Sequence, residues 1–217
     1  MEKLRVLLAD DHTIIRDGLK QILADTDDLA VCGEAANGNE ALLLVREQDW
    51  DVVVLDISMP GRSGLDLIRL IHDEKPKLPI LILSMHHEEQ YAVRALHAGA
   101  AGYLTKESDA DLLVHAIRRV ARGGVYVSAT VAELMARGLM PAAANELPHT
   151  ALSDREFQIF HRLVLGQGLT DIANELSLSV KTISTHKTRI LQKMAMTNTS
   201  ELIRYAVAHH LVKSTDV

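Results

Sequence analysis

Aromatic side chains make up only 3% of this 217-residue sequence, with one Trp, four Tyr and two Phe, so a core must be built from Leu, Val, Ile and Ala. The only cysteine, Cys32, leaves no disulfide framework within one chain, which fits a reducing compartment. It lies in a short apolar run, where a small buried hydrophobe is expected. Charged residues begin directly after Met1 and no apolar run approaches the length of a membrane span, so a cytoplasmic protein with no membrane partner is expected. Internal repeats and low-complexity tracts are also absent. The histidines His86, His87 and His97 match no zinc-ligand spacing.

What is present suggests two domains, given the length and an ordinary globular composition of 47% hydrophobic and 24% charged residues. The net charge of −6 is unevenly spread. Residues 1–122 carry 14 Lys and Arg against 21 Asp and Glu, whereas residues 151–217 carry 8 against 6. Only the C-terminal part is suited to meeting a polyanion.

The run Val52-Val53-Val54-Leu55 reads as a strand buried on both faces of a parallel sheet, and it ends on Asp56. Leu4 to Ala9 is a second such strand and ends on Asp10-Asp11. Pro79 to Leu83 ends on Ser84, and Gly102 to Thr105 delivers Lys106. Leu29 to Ala35 supplies one more strand, with Asn37-Gly38 as the turn after it. Helical spacing fills the intervals: Thr13–Ala24, a stretch around Ala41–Val45, Leu65–Ile71, Glu88–Ala98 and Asp109–Arg122. Five strands alternating with five helices predict an α/β fold, a doubly wound parallel sheet whose chemistry sits at the carboxyl edge.

Three carboxylates at two strand ends repel one another unless a cation lies between them, and a hard divalent ion such as Mg²⁺ suits oxygen ligands. A hydroxyl and an ammonium on neighbouring strand ends complete the parts for moving a phosphoryl group onto a carboxylate. The ordered set Asp10-Asp11, Asp56, Met59-Pro60-Gly61, Ser84 and Lys106 resembles the receiver domain of two-component response regulators, over residues 3 to 122. That resemblance implies a flavodoxin-like strand order of 2-1-3-4-5. It also implies Asp56 as phosphoacceptor, with Ser84 and Lys106 around the phosphoryl group and Tyr103 as an aromatic switch that turns inward. Mg²⁺ is then expected on Asp11 and Asp56, on Asp10 largely through water, and on the backbone carbonyl of Ser58. Ser58 and His86 stand where receivers tune the lifetime of the modified state.

Gly123-Gly124 closes the fifth helix. Residues 123–149 read as a linker, with one short helix over Ala129–Met140 and an irregular stretch around Pro141 and Pro148. Beyond it, Ser153 and Glu156 form a capping box for a helix carrying Phe157, Ile159, Phe160, Leu163 and Val164. Thr170 is expected to cap a shorter helix through Leu176. A turn at Ser177-Leu178-Ser179 leads into Val180–Met194, and two helices about such a turn form a helix-turn-helix.

Val180–Met194 holds four basic residues and no acidic one. Ile183, Ile190 and Met194 fall on one side, and Lys181, Thr185, Thr188 and Gln192 on the other, flanked by Ser184 and Arg189. Short hydroxyls framed by long cations suit a helix in the major groove. Together with Leu152-Ser153-Asp154-Arg155-Glu156 and Asp171 to Leu176, the segment Lys181-Thr182-Ile183-Ser184-Thr185-His186 resembles the LuxR-type DNA-binding domain.

Receiver plus this domain is the plan of the NarL/FixJ response regulators. It implies a receiver over 1–122, a small all-α DNA-binding domain over 150–217, and DNA contacts from Lys181, Thr182, Ser184, Thr185, Thr188 and Arg189. The implied partners are a sensor histidine kinase as phosphodonor, double-stranded promoter DNA, a second copy on that DNA, and RNA polymerase. Ser184 departs from the Lys common at its position, so base preference does not carry over. Two other readings differ in class. An aspartyl-nucleophile phosphatase wants a second Asp where Ser58 stands, so no enzyme is expected. A protein-binding phosphorelay adapter has no use for an acid-free helix.

Overall fold

The computed structural model describes residues 3–59, 64–85, 88–139, 147–176, 178–209 and 211–212. Within them the chain forms two compact units, 1–137 and 138–217. The Pro60-Gly61 turn, His86, His87, the irregular stretch around Pro141 and Ser177 lie outside the described residues.

In the first unit the elements follow in order: β1 Leu4–Ala9, α1 Thr13–Ala24, β2 Leu29–Ala35, α2 Gly38–Glu47, β3 Val52–Leu55, α3 Gly64–Glu74, β4 Ile80–Ser84, α4 Glu88–His97, β5 Gly102–Thr105 and α5 Ala110–Ala121, followed by α6 Ala129–Leu139, which runs across the boundary between the units. All strands pair in parallel, in the order β2-β1-β3-β4-β5. Val6, Leu8, Val52, Val54, Leu81 and Leu83 line one face, packed on Leu19 and Leu23 of α1 and on Leu113, Ala116, Ile117 and Val120 of α5. Alternation sends Leu7, Val53, Leu55, Ile80 and Ile82 to the other face, where they are buried as completely. Cover on both faces is why these strands carry unbroken apolar runs.

Three local expectations are corrected. Asn37-Gly38 is no free turn: Asn37 caps α2, accepting from the amides of Asn39 at 3.1 Å and Glu40 at 3.0 Å, while Glu40 Oε2 accepts from the Ala36 amide at 2.8 Å. Thr170 lies inside α8 (Leu169–Glu175), whose cap position is Gly168. Cys32 is exposed, because the pairing of β1 with β2 skips from Val6↔Val31 to Leu7↔Gly33 and leaves Cys32 as the extra residue of a bulge on an edge strand. Gly33 beside it faces the core under Trp50, and a Cβ there would meet the indole at 2.4 Å.

The other edge, β5, is covered by the chain leaving α5. Gly123, at φ +82°, and the amide of Gly124 donating to Arg119 O at 3.0 Å close that helix in a Schellman turn. Tyr126 then bridges to Gly102, its amide donating to Ala101 O at 2.9 Å and its carbonyl accepting from the Tyr103 amide at 3.3 Å.

The second unit holds a 3₁₀ turn at Pro148–Ala151, α7 Asp154–Val164, α8, α9 Val180–Lys193 and α10 Thr199–Ala208. The Ser153–Glu156 capping box forms as read, and Phe157, Ile159, Phe160, Leu163 and Val164 are all buried. Ser179 caps α9 by accepting from the Thr182 amide at 3.0 Å. Ile183, Ile190 and Met194 face inward. Leu202 and Ala206 of α10 are fully buried in this unit's own core, while Ile203 and Val207 are half-buried.

Candidate functional site

Each strand end at the carboxyl edge extends the sheet by one more hydrogen bond, and that bond places its side chain. The amides of Asp10, Asp56 and Lys106 donate to Ala35 O, Ala9 O and Ser84 O at 3.0, 2.8 and 2.8 Å. Asp10 and Asp56 therefore stand side by side on adjoining strands, at 3% and 2% exposure. Lys106 Nζ lies between them, 2.6 Å from Asp10 Oδ2 and 2.7 Å from Asp56 Oδ2, and is itself only 4% exposed. Two buried carboxylates around one buried ammonium leave a net negative charge, which is tolerable only with further compensation.

The remaining carboxylate oxygens are held by the backbone that follows. The Ser58 amide donates to Asp56 Oδ1 at 2.8 Å, and the His12 amide to Asp10 Oδ1 at 2.8 Å. Burial pushes the Asp56 carboxyl above the ordinary aspartate range, against the pull of the Lys106 ammonium and the Ser58 amide. Burial acts to lower Lys106, but its bonds to Asp10 and Asp56 outweigh that and hold it above the ordinary lysine value.

Asp10, Asp11, His12 and Asp56 each offer a ligand atom, all within 4.8 Å of one another. His12 escaped the sequence reading, though it adjoins the acidic pair: its Nδ1 lies 3.2 Å from Asp10 Oδ1 and 3.0 Å from Asp11 Oδ1. The donors are chiefly hard carboxylate oxygens, and among the three carboxylates Asp11 is the one open to solvent, its side chain 31% exposed. Such a set fits Mg²⁺ that keeps several waters.

Ser84 is fully buried at the end of β4, paired in register with Thr105, so its hydroxyl belongs to the same edge. Tyr103, in register with Ile82, is completely buried. Ser58 is half-buried in the loop after Asp56.

In the second unit α9 presents Lys181, Ser184, Thr185, Thr188 and Arg189 to solvent, and Thr182 partly so. Thr182 Oγ1 is 2.8 Å from Ser179 Oγ and belongs to the cap as well as to the outer face. Thr185 and Thr188 donate their hydroxyls to Lys181 O at 2.9 Å and Ser184 O at 3.1 Å. The lone pairs of those two oxygens stay free to accept.

Lys193, one of the four basic residues of Val180–Met194, is tied to the unit's own framework: its Nζ binds Glu156 Oε2 at 2.6 Å and Ala151 O at 3.3 Å. Glu156, only 6% exposed, thus joins the α7 cap to the end of α9. Burial works to raise its pKa, yet Lys193 and Ser153 together hold it below the ordinary glutamate value.

Two family profiles match the chain: "Response regulator receiver domain" over residues 6–118, and "Bacterial regulatory proteins, luxR family" over residues 150–206. Response regulator GacA of Pseudomonas protegens is 38% identical over 213 residues, 98% of this chain and 99% of that protein. Response regulator UvrY of Escherichia coli K12 is 36% identical over 208 residues, 96% and 95% of the two chains. The fold is similar to the RcsB response regulator of Salmonella typhimurium, with TM-score 0.73 and 26% identity over 96% of this chain and 98% of that one. RcsB bound to promoter rprA in the presence of phosphomimetic BeF3⁻ gives TM-score 0.69 and 26% identity, over 94% and 98%.

Proposed function

The chain belongs to the DNA-binding two-component response regulators that join a receiver to a LuxR-type helix-turn-helix, and on that premise we propose that phosphorylation of Asp56 controls its binding to promoter DNA. The observation that carries the reading is the buried triad in which Lys106 Nζ sits 2.6 and 2.7 Å from Asp10 and Asp56. An Asp56 oxygen attacks phosphorus, and the P–N bond of a kinase phosphohistidine breaks. Its electron pair stays on the imidazole nitrogen, which then takes a proton. Lys106 neutralises charge on the transferred group, and the Ser84 hydroxyl donates to one of its oxygens. Asp11 and Asp56, with Asp10 through water and the Ser58 carbonyl, would hold Mg²⁺, which when bound offsets the phosphoryl charge. The modified Asp56 engages Ser84, and Tyr103 takes the inward position.

We assign residues 1–122 to the receiver, 123–149 to the linker and 150–217 to the DNA-binding domain. Lys181 and Arg189 reach phosphates, while Ser184, Thr185 and Thr188 reach base edges and Thr182 the entry of the groove. A sensor histidine kinase is the phosphodonor. Two copies bind a two-fold site, meeting through Ile203 and Val207, since Leu202 and Ala206 are consumed by the unit's own core. RNA polymerase is the further partner of a promoter-bound copy. We assign it to the cytoplasm, a reading supported by its DNA-binding family; separately, no described helix is long and apolar enough to cross a membrane. The structures of RcsB on promoter DNA, in the presence of BeF3⁻, support the coupling. Ser58, in place of the second Asp of phosphatases, supports a regulator over a catalyst.

Incubation with acetyl phosphate and Mg²⁺ should add one phosphoryl mass to the intact protein and none to Asp56→Asn. A normal adduct on that variant overturns Asp56 as the acceptor. Equal sedimentation and DNA affinity with and without beryllofluoride overturn the coupling.

A further inference from the structure

The turn bearing the acidic pair is held by a side chain with no part in the transfer itself. β1 stops at Ala9, so the Asp10 carbonyl lies beyond the strand ladder, and Arg16 Nη1 donates to it at 2.6 Å. The same guanidinium reaches Glu34 Oε2 through Nε at 3.2 Å and Thr13 Oγ1 through Nη2 at 3.4 Å. Glu34 sits on β2, paired in register with Leu8, and Lys20 Nζ holds its other oxygen at 2.9 Å. Arg16 is only 13% exposed, so this fork is a fixed tie between α1, the end of β1 and the edge strand. A planar guanidinium can serve three acceptors at once; an ammonium on a flexible stem cannot hold the same geometry.

We propose that Arg16 is a positioning residue for divalent-cation binding, setting the backbone of the Asp10–Asp11–His12 turn and so the place of the Asp11 carboxylate beside Asp56. The inference rests on the reading of Asp10, Asp11 and Asp56 as the cation site. Coulomb's law alone predicts the opposite effect. A cation near the site repels Mg²⁺, so removing Arg16 would tighten binding if charge were its only role. The sign of the change therefore separates position from charge.

Calorimetric titration of Mg²⁺ into the full chain supplies the test, independent of phosphorylation. Arg16→Lys keeps the charge and loses the fork, and should weaken Mg²⁺ binding about tenfold. Glu34→Gln, which leaves the protein's core untouched, should weaken it by a smaller factor because Arg16 loses its anchor. Unchanged affinity in both variants, or tighter binding by Arg16→Ala, overturns the proposal, as does a fall in melting temperature with no change in Mg²⁺ affinity. Failure of the underlying reading looks different: the unsubstituted protein would then bind Mg²⁺ no better than Asp11→Asn and Asp56→Asn.

Discussion

Replacing Lys193 with Met should destabilise the C-terminal unit more than removing the negative partner does. The pair is lopsided: the Glu156 side chain is 6% exposed, and Lys193 is 41% exposed. Losing the cation leaves a buried carboxylate held by Ser153 alone, through its amide at 2.9 Å and its side chain. Breaking a fully buried pair costs about 3–5 kcal/mol, and an exposed pair contributes about 0–1 kcal/mol. With water able to approach from the lysine side, about 2 kcal/mol is the expected cost. Glu156→Gln keeps an acceptor for the Ser153 amide and frees an ammonium already half in water, so about 1 kcal/mol is expected. The double variant should cost less than the sum of the two, because Met no longer strands a charge.

The pH dependence has a fixed sign. Glu156 is held below its ordinary value of 4.5, so its stabilisation is fully present above that pH and is lost as the pH falls through the lower folded value. In Lys193→Met burial dominates, the carboxyl gains a proton more readily, and the cost of the substitution shrinks as the pH is lowered toward about 4. Trp50, the sole tryptophan, lies in the first unit, so its fluorescence follows that unit alone. Far-ultraviolet circular dichroism follows both, and urea titrations read by the two signals isolate the C-terminal transition. A Lys193→Met cost that equals the Glu156→Gln cost, or that stays constant with pH, would refute the assignment of a buried anchor.

Three other substitutions separate the remaining roles. Lys181→Ala should weaken binding to cognate and random DNA alike and lower the salt slope by about one, whereas Thr185→Ala should cost ~1–3 kcal/mol on the cognate site alone; salt series on both DNAs decide, and the reverse pattern means the contacts are exchanged. Gly102→Ala would bring a Cβ to 2.9 Å from the Tyr126 carbonyl and should destabilise the first unit by about 1–3 kcal/mol, read by Trp50 fluorescence; a neutral result shows that the bridge over β5 is loose. Ala195, at φ +53°, follows α9 in the left-handed region, so Ala195→Gly should stabilise the second unit by about 0.5 kcal/mol in urea, and a loss of stability would refute the strain.

The strand ends were legible because a parallel sheet covered on both faces leaves charge only one place to go. Asp10, Asp56 and Lys106 each follow an apolar run directly, and the side-by-side placement of the first two needs only the pairing of β1 with β3. Cys32 was not legible. A bulge inserts one residue, and with a side-chain period of two that single step turns the cysteine out of the sheet without changing the composition of the run. Asn37-Gly38 misled for a related reason, since the side chain that closes a turn also caps a helix, and Glu40 three residues on decides for the helix. Arg16 left no trace in hydrophobic pattern, because its contacts are to a backbone carbonyl and to a strand 18 residues away.

Charge on the recognition helix shows how far a one-dimensional reading carries. Four cations on α9 with no carboxylate pointed to a polyanion, and the family supports that direction. The count itself overstates what faces DNA. Lys193 is bound to Glu156, 37 positions earlier, and Lys187 is half-buried, which leaves Lys181 and Arg189 as the exposed cations. Burying Glu156 beneath the end of α9 spends one cation to fix the helix on α7, and the direction of the exposed threonines depends on that fixture. A helix held by its C-terminal lysine can present short side chains to base edges without further cations of its own. On the proposed reading, Lys181 and Arg189 then set the register through phosphates. If the outward threonines read bases as proposed, specificity in this unit rests on rigidity supplied from α7 as much as on the residues that point outward.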